Sequence, residues 1–167
     1  ASLLGQTTLS GQVDDTNVGP LRRGREYVTN TGFTVPANRT LTIEPGVVIK
    51  FARSRQVSVI GKLVGAGTAA EPIVFTSIND QSVGSKTGTG TPARGDWLRM
   101  IFGGRTGSSL QFAEVRYAGS NNRAGIACQD SDLTLRRVVV RDCGSDGIRV
   151  LRRCGQPLNS RVVSEQW

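Results

Sequence analysis

Short apolar runs that end after a few residues constrain the fold of this 167-residue chain most strongly. Residues 41–67 read LTIEPGVVIKFARSRQVSVIGKLVGAG, where Pro-Gly, Arg-Ser-Arg and single glycines end the runs. The runs are rich in Val and Ile, whose branched side chains lose freedom in a helix and pack well on a pleated sheet. They are therefore predicted to be strands of about four residues.

The same pattern continues along the chain. Strands are predicted at residues 41–44, 47–51, 57–60, 73–76, 97–102, 110–117, 125–128, 133–141 and 147–151. No segment of about ten residues has the periodicity of a helix, so the crossover helices of an α/β fold have no candidates. The sequence predicts an all-β protein.

An internal repeat indicates how these strands are arranged. The segment beginning SSLQFAEVRYAG recurs in the segment beginning SDLTLRRVVVRDCG. Leu110 aligns with Leu133 at an offset of 23 residues, and Ile126 aligns with Ile148 at an offset of 22. A period of 22–25 residues that holds two or three short strands is one coil of a β-solenoid.

The geometry of such a coil explains the interruptions. Each run lies on one side of a roughly triangular cross-section, with Ile43, Ile49 and Phe51 pointing inward and their neighbours pointing outward. Glycine and Pro-Gly turn the corners, because glycine reaches backbone angles that other residues avoid. Each interruption is therefore predicted to be a corner.

Several motifs carry a family resemblance. LTIEPGVVIKF, AEPIVFTS, GDWLRMIF and LQFAEVRYAG resemble the repeats of right-handed parallel β-helices in large secreted and surface-attached bacterial proteins. GIACQDSDLTLRRVVVRDCGSDGI looks like the coil repeat of pectate-lyase-like proteins. The resemblance implies a right-handed parallel β-helix and a secreted or cell-surface location. We divide the chain into an N-terminal strand and cap segment, residues 1–35, and a β-helix domain, residues 36–167, with a long loop at 78–96.

The charge of the chain suggests an anionic partner. The net charge is +8, from 18 arginines and 3 lysines, and seven of the arginines lie within residues 133–161. Arginine pairs bidentately with carboxylates and sulfates, so an acidic polysaccharide or an anionic cell surface is one expectation, and an ordinary solvated surface is the other. Few aromatic residues are present, which argues against specific binding of nucleic acid. The candidate binding residues are Lys86, Arg94, Trp97, Arg136, Arg141 and Arg149.

Cysteine and histidine content limits metal and cofactor chemistry. The chain has no histidine, and its three cysteines lack CxxC spacing, so we predict neither a metal site nor a cofactor. Either Cys143 and Cys154 form a disulfide in an exported protein, or all three cysteines are buried thiols. No run of about eighteen apolar residues is present, so no membrane span is predicted.

An enzyme is the runner-up, because members of the pectate-lyase-like superfamily cleave acidic polysaccharides. The only acidic cluster is formed by Asp130, Asp132, Asp142 and Asp146, which the repeat places at matching corners of neighbouring coils. Aspartates at corners commonly accept hydrogen bonds from the backbone. No position matches a catalytic motif of the superfamily, so we assign no catalytic residue.

The coil ends suggest a structural role. A solenoid exposes unpaired backbone and core side chains at its first and last coil, which must be capped, continued or paired. Leu3, Leu4 and Trp167 are the candidate assembly residues. We expect a non-catalytic structural module that associates through its ends, as a filament or surface layer, or that acts in adhesion. The alternative is a protein that binds or cleaves an acidic glycan.

Overall fold

The computed structural model is an all-β parallel β-solenoid of about six turns, with coils of about 25 residues. This architecture confirms the fold predicted from the repeat. The structure describes residues 6–104 and 107–151, and it describes 161–165 as a strand. Within these ranges, no helix is long and apolar enough to cross a membrane.

Each complete coil contributes a segment to three sides of the cross-section, which we call sides A, B and C. Side A contains β1 (Thr7–Thr8), β3 (Glu26–Thr29), β6 (Val48–Phe51), β9 (Ile73–Ser77) and the later parts of β11 (Ser108–Arg116) and β13 (Asp132–Arg141). Side B contains β2 (Gly11–Gln12), β4 (Phe33–Val35), β7 (Gln56–Val59), β10 (Arg99–Phe102), β12 (Ile126–Gln129) and β14 (Ile148–Leu151). Side C contains β5 (Thr40–Ile43), β8 (Lys62–Ala66), the earlier parts of β11 and β13, and β15 (Arg161–Glu165).

The core lies inside the coils and is built from one face of each strand. Ile43, Ile49 and Phe51 are fully buried, as predicted. The ring of Phe51 stacks on Phe33, with centroids 6.2 Å apart, and on Trp97, with centroids 4.1 Å apart. Stacked, offset aromatic rings of this kind strengthen the contact between successive coils beyond the area that they bury.

The corner between sides C and A is turned inside two continuous strands. Phe112 in β11 and Arg137 in β13 have φ of 46° and 53°, which bends each strand without ending it. The register pairs Leu110 with Leu135, at an offset of 25 residues, so the alignment of Leu110 with Leu133 was wrong. The alignment of Ile126 with Ile148 is confirmed.

The N-terminal residues also belong to the stack. β3 pairs with β6 and β4 pairs with β7, so coil stacking crosses the proposed boundary after residue 35. The turn after β2 is stabilised by Asp14, whose Oδ1 accepts hydrogen bonds from the backbone N–H groups of Thr16 and Asn17. The inward side chains Leu9 and Val13 are buried at this end.

Candidate binding surface

The loop at 78–96 is packed against the outer face of side A. Lys50 Nζ donates hydrogen bonds to the carbonyl oxygens of Asp80 and Ser85, at 2.7 and 2.6 Å. In return, the backbone N–H of Ser85 donates to Glu26 Oε2 at 2.7 Å. The side chains of Lys50 and Glu26 are fully buried beneath the loop. The loop therefore covers β3 and β6.

Asp80 anchors the start of this loop. Its carboxylate accepts hydrogen bonds from Thr76 Oγ1, Ser82 Oγ and Arg116 Nη1, at 2.7, 2.6 and 3.1 Å. Burial alone would raise the pKa of Asp80, but the hydrogen bonds from Ser82, Thr76 and Arg116 outweigh it and lower the pKa to about 2. The carboxylate is therefore charged over the whole physiological range of pH.

The charges along the rest of side A compensate one another. Arg116 Nη2 lies 2.8 Å from Glu114 Oε2, and Arg141 pairs with Glu114 and with Asp142. Burial would raise the pKa of Glu114, but its hydrogen bonds from Arg116 and Arg141 lower it overall. Arg141, a candidate binding residue, is therefore already engaged by two acids.

The other candidate binding residues do not form one site. Lys86 and Arg94 are exposed in the loop, and Arg136 is exposed on side C. Arg149 Nη2 lies 2.7 Å from Asp146 Oδ2. The role of these residues as ligand contacts stays a prediction.

Trp97 is a core residue and not a surface contact, contrary to the expectation from sequence. Its side chain is fully buried and stacked on Phe51, and its Nε1 donates to the carbonyl oxygen of Arg116 at 2.7 Å. The position directly after a polar loop suggested exposure, but the inward face of the next coil begins there.

Some of the predicted positions lie outside the described residues. These are the assembly residues Leu3, Leu4 and Trp167, and Cys154 of the proposed disulfide. Cys143 is a half-buried thiol, and burial raises its pKa. The pairing of Cys143 with Cys154 stays a prediction.

The four aspartates of the acidic cluster occupy two different corners, so their placement at matching corners was wrong. Asp130 and Asp132 lie between sides B and C, whereas Asp142 and Asp146 lie between sides A and B. The error follows from β13, which crosses from side C to side A without an interruption in sequence. The described residues contain no group of three or more acidic or cysteine side chains that could hold a metal ion.

Five arginines line the corner between sides A and B over three successive coils. We call this surface the arginine edge: Arg53, Arg55, Arg94, Arg99 and Arg123. None of them forms an ion pair within the described part of the chain. Arg99 Nε reaches only the amide oxygen of Gln56, at 3.3 Å. The pKa of Arg99 is lowered by burial and then by the charge of Arg123, so the two guanidinium groups repel each other.

A shallow groove on side B begins at the arginine edge. One cavity, of about 220 Å³, is lined by Arg99, Gln56, Ser58 and two isoleucines, Ile60 and Ile101. A second cavity, of about 370 Å³, is also lined by Gln56 and Ser58. It extends to β4, where threonine and glycine residues line it. Both cavities lie against Gln56 and Ser58 on β7, so amide and hydroxyl groups line the side B groove beside the positive charge of Arg99.

The sequence pattern did not single out Arg53, Arg55, Arg99 or Arg123. Each of them lies just before a side B strand or at its start. This shared position was a signal in the sequence that these arginines lie along one corner. The long loop hides this signal, because Arg55 directly precedes β7 and Arg99 begins the paired strand β10, although 44 residues separate them in sequence. Comparison of the chain with protein-family models, curated proteins and solved structures gave no match.

Proposed function

We propose that the chain is a non-catalytic structural and adhesive module of a secreted or cell-surface protein, which binds an acidic polysaccharide along the arginine edge. One observation carries the proposal. The arginines of side A are neutralised by neighbouring acids, whereas the five arginines of the arginine edge have no acidic partner among the described residues.

The arrangement suits a linear anion. Successive coils are about 4.8 Å apart, so the edge presents positive charge repeatedly along one line. The guanidinium fork matches carboxylate and sulfate groups, and the net charge of +8 attracts polyanions from a distance. The hydroxyl and amide groups of the side B groove offer hydrogen bonds to sugar hydroxyls. The resemblance to pectate-lyase-like repeats also favours a polysaccharide.

The absence of catalysis is part of the proposal. Hydrolysis of a glycosidic bond needs two carboxyl groups that flank the same bond. Here Asp80 and Glu114 are held in ion pairs, and the four aspartates near the C-terminus are divided between two corners. These arrangements support binding rather than hydrolysis by a carboxyl pair.

The test is binding of polygalacturonate by the double variant Arg99→Gln/Arg123→Gln. We expect the Kd to rise about tenfold or more, since one charge-assisted contact is worth roughly 1.4 kcal/mol. Binding is measured by isothermal titration at two salt concentrations, because exposed charges are screened by salt. Neutral dextran serves as the ligand control.

The matched control is Arg22→Gln/Arg25→Gln, which removes the same charge from the corner between sides C and A. Arg22 is already paired with Glu44 there, at 3.1 Å. This variant should retain most of the affinity. Equal losses in the two variants would mean that only the net charge matters, and unchanged binding by the first variant would contradict the proposal.

A second candidate function, self-association, is favoured by β14, the last strand of side B among the described residues. Ile148 and Val150 are 41% and 40% exposed, whereas Ile126 and Cys128, at the same positions in the preceding coil, are fully buried. Apolar side chains in an inward row are normally covered by the next coil. We propose that a second copy covers them, and the test is given in the Discussion.

A further inference from the structure

A buried lysine and a buried glutamate face each other beneath the loop, apart from the arginine edge. Lys50 on β6 and Glu26 on β3 have fully buried side chains, and Nζ lies 3.9 Å from Oε1. This distance is too long for a hydrogen bond. Each group instead makes its hydrogen bonds with other residues: Lys50 with loop carbonyls, and Glu26 with Ser85 and with Gln6 Nε2 at 3.4 Å. The two groups are therefore held side by side without a hydrogen bond between them, which leaves them placed for a reaction with each other.

The surroundings of Lys50 orient its nitrogen toward the glutamate. Nζ donates to the carbonyl oxygens of Asp80 and Ser85, at 2.7 and 2.6 Å. A neutral amine has two N–H groups and one lone pair, so these two acceptors leave the third direction for Glu26. Burial lowers the pKa of Lys50, which favours the neutral form.

The loop backbone polarises the carboxyl group of Glu26. The N–H of Ser85 donates to Oε2 at 2.7 Å, and the hydroxyl of Ser85 donates to Oε1 at 3.0 Å. Donors in this arrangement stabilise the negative charge that develops on oxygen during attack at a carboxyl carbon. Gly84 permits the close approach, because a Cβ there would lie 2.5 Å from Glu26 Oε2 and 3.5 Å from Lys50 Cε.

We propose that Lys50 and Glu26 form an intramolecular amide bond that links two neighbouring coils. A proton first passes from the ammonium to the carboxylate, which leaves a neutral amine beside a carboxylic acid. The lone pair of Nζ then attacks Cδ of Glu26, and the new C–N bond forms as a proton moves from nitrogen to the hydroxyl oxygen. The C–O bond breaks and water leaves. No oxidant or cofactor is needed, and the fixed geometry replaces an activated acid.

The test is the mass of the full chain, measured intact after purification. The folded wild-type chain is expected to be lighter than its sequence by one water. Tryptic digestion should give a cross-linked pair of peptides, residues 26–39 and 40–53, because acylated Lys50 resists cleavage. Lys50→Met and Glu26→Ala should each restore the mass expected from their sequence. Lys62→Met, which changes a lysine on side C, should keep the loss of water.

Two reactions would lower the mass by one water, and the peptide that carries the loss distinguishes them. The chain contains an Asp146–Gly147 step, which loses the same mass if it cyclises to a succinimide. Fragmentation of the linked peptides distinguishes this product from the cross-link. A wild-type mass equal to that of the sequence, with peptides 40–50 and 51–53 recovered separately, would overturn the proposal. A water loss confined to Asp146–Gly147 would overturn it equally.

Discussion

At the scale of single residues, the corners decide which positions tolerate a side chain. Gly61 and Gly104 occupy equivalent places after β7 and β10, with Gly103 one residue earlier. A Cβ at Gly61 would lie 2.2 Å from the carbonyl oxygen of Pro36 and 2.3 Å from that of Arg39. A Cβ at Gly103 would meet nothing within 4 Å. Sequence identifies both glycines as corner residues, but only the stacking of coils distinguishes the crowded position from the open one.

Gly61→Ala should therefore destabilise the protein, whereas Gly103→Ala should not. We expect Gly61→Ala to lower the free energy of unfolding by about 2 kcal/mol, because the added methyl group collides with backbone rather than with a movable side chain. Gly103→Ala is expected to change the free energy by less than about 0.5 kcal/mol. Urea unfolding followed by circular dichroism measures both. Equal effects would show that backbone crowding at this corner does not control stability.

At the scale of elements, the apolar runs predicted some strands closely and missed others. The strands of residues 47–51, 57–60 and 147–151 match β6, β7 and β14 within a residue. The strands that were not predicted are β1, β2, β3, β4, β8 and β15. Strands β1 and β2 consist of two exposed residues each, which carry no apolar pattern. The bend at Phe112 was missed as well, since a bulky aromatic residue at positive φ gives no turn signal in sequence.

The composition of the loop at 78–96 did not predict that it packs against the solenoid. Its polar, glycine-rich sequence is compatible both with a binding element and with an excursion into solvent. The position of the loop is set by two residues far away in sequence, Lys50 and Glu26 on side A, which the loop covers and buries. Outward-facing polar residues on a strand normally indicate solvent, so the sequence concealed this contact.

The anchoring of the loop by Asp80 makes a specific prediction about acid. A carboxyl whose pKa is lowered on folding stabilises the folded state above its unfolded pKa, and this contribution is lost as the pH falls through the folded pKa. For Asp80 the window runs from the ordinary pKa of an aspartate, 3.8, down to about 2. The shift corresponds to about 2 kcal/mol. We expect the wild type to exceed Asp80→Asn in stability by about that much more at about pH 5 than at about pH 2.

Urea unfolding of both proteins across this range of pH measures the difference. Glu44 and Glu71, whose pKa values are also lowered, share no partner with Asp80, so they titrate in both proteins and cancel in the comparison. A difference that stays constant with pH would mean that Asp80 contributes through its shape and not through its charge.

At the scale of the whole molecule, acids and arginines are distributed unequally around the solenoid. Among the described residues, acids pair with Arg116 and Arg141 on side A and with Arg22 and Arg23 at the corner between sides C and A, whereas no arginine of the arginine edge has such a pair. The net charge of +8 predicted an anionic partner but did not indicate where it binds. That location depends on register, because residues far apart in sequence become neighbours only when the coils stack.

The exposed apolar side chains of β14 provide the last prediction. If a second copy covers Ile148 and Val150, replacing both by serine should weaken association, because burial of apolar surface is the main driving force for contact. Size-exclusion chromatography with light scattering, over a series of concentrations, gives the mass of the particle.

The matched control is Val18→Ser/Ile60→Ser, which removes apolar residues that are 46% and 49% exposed away from β14. We expect the wild type and the control to form larger particles as concentration rises, while Ile148→Ser/Val150→Ser stays monomeric; a wild type that is monomeric throughout would contradict association through this end.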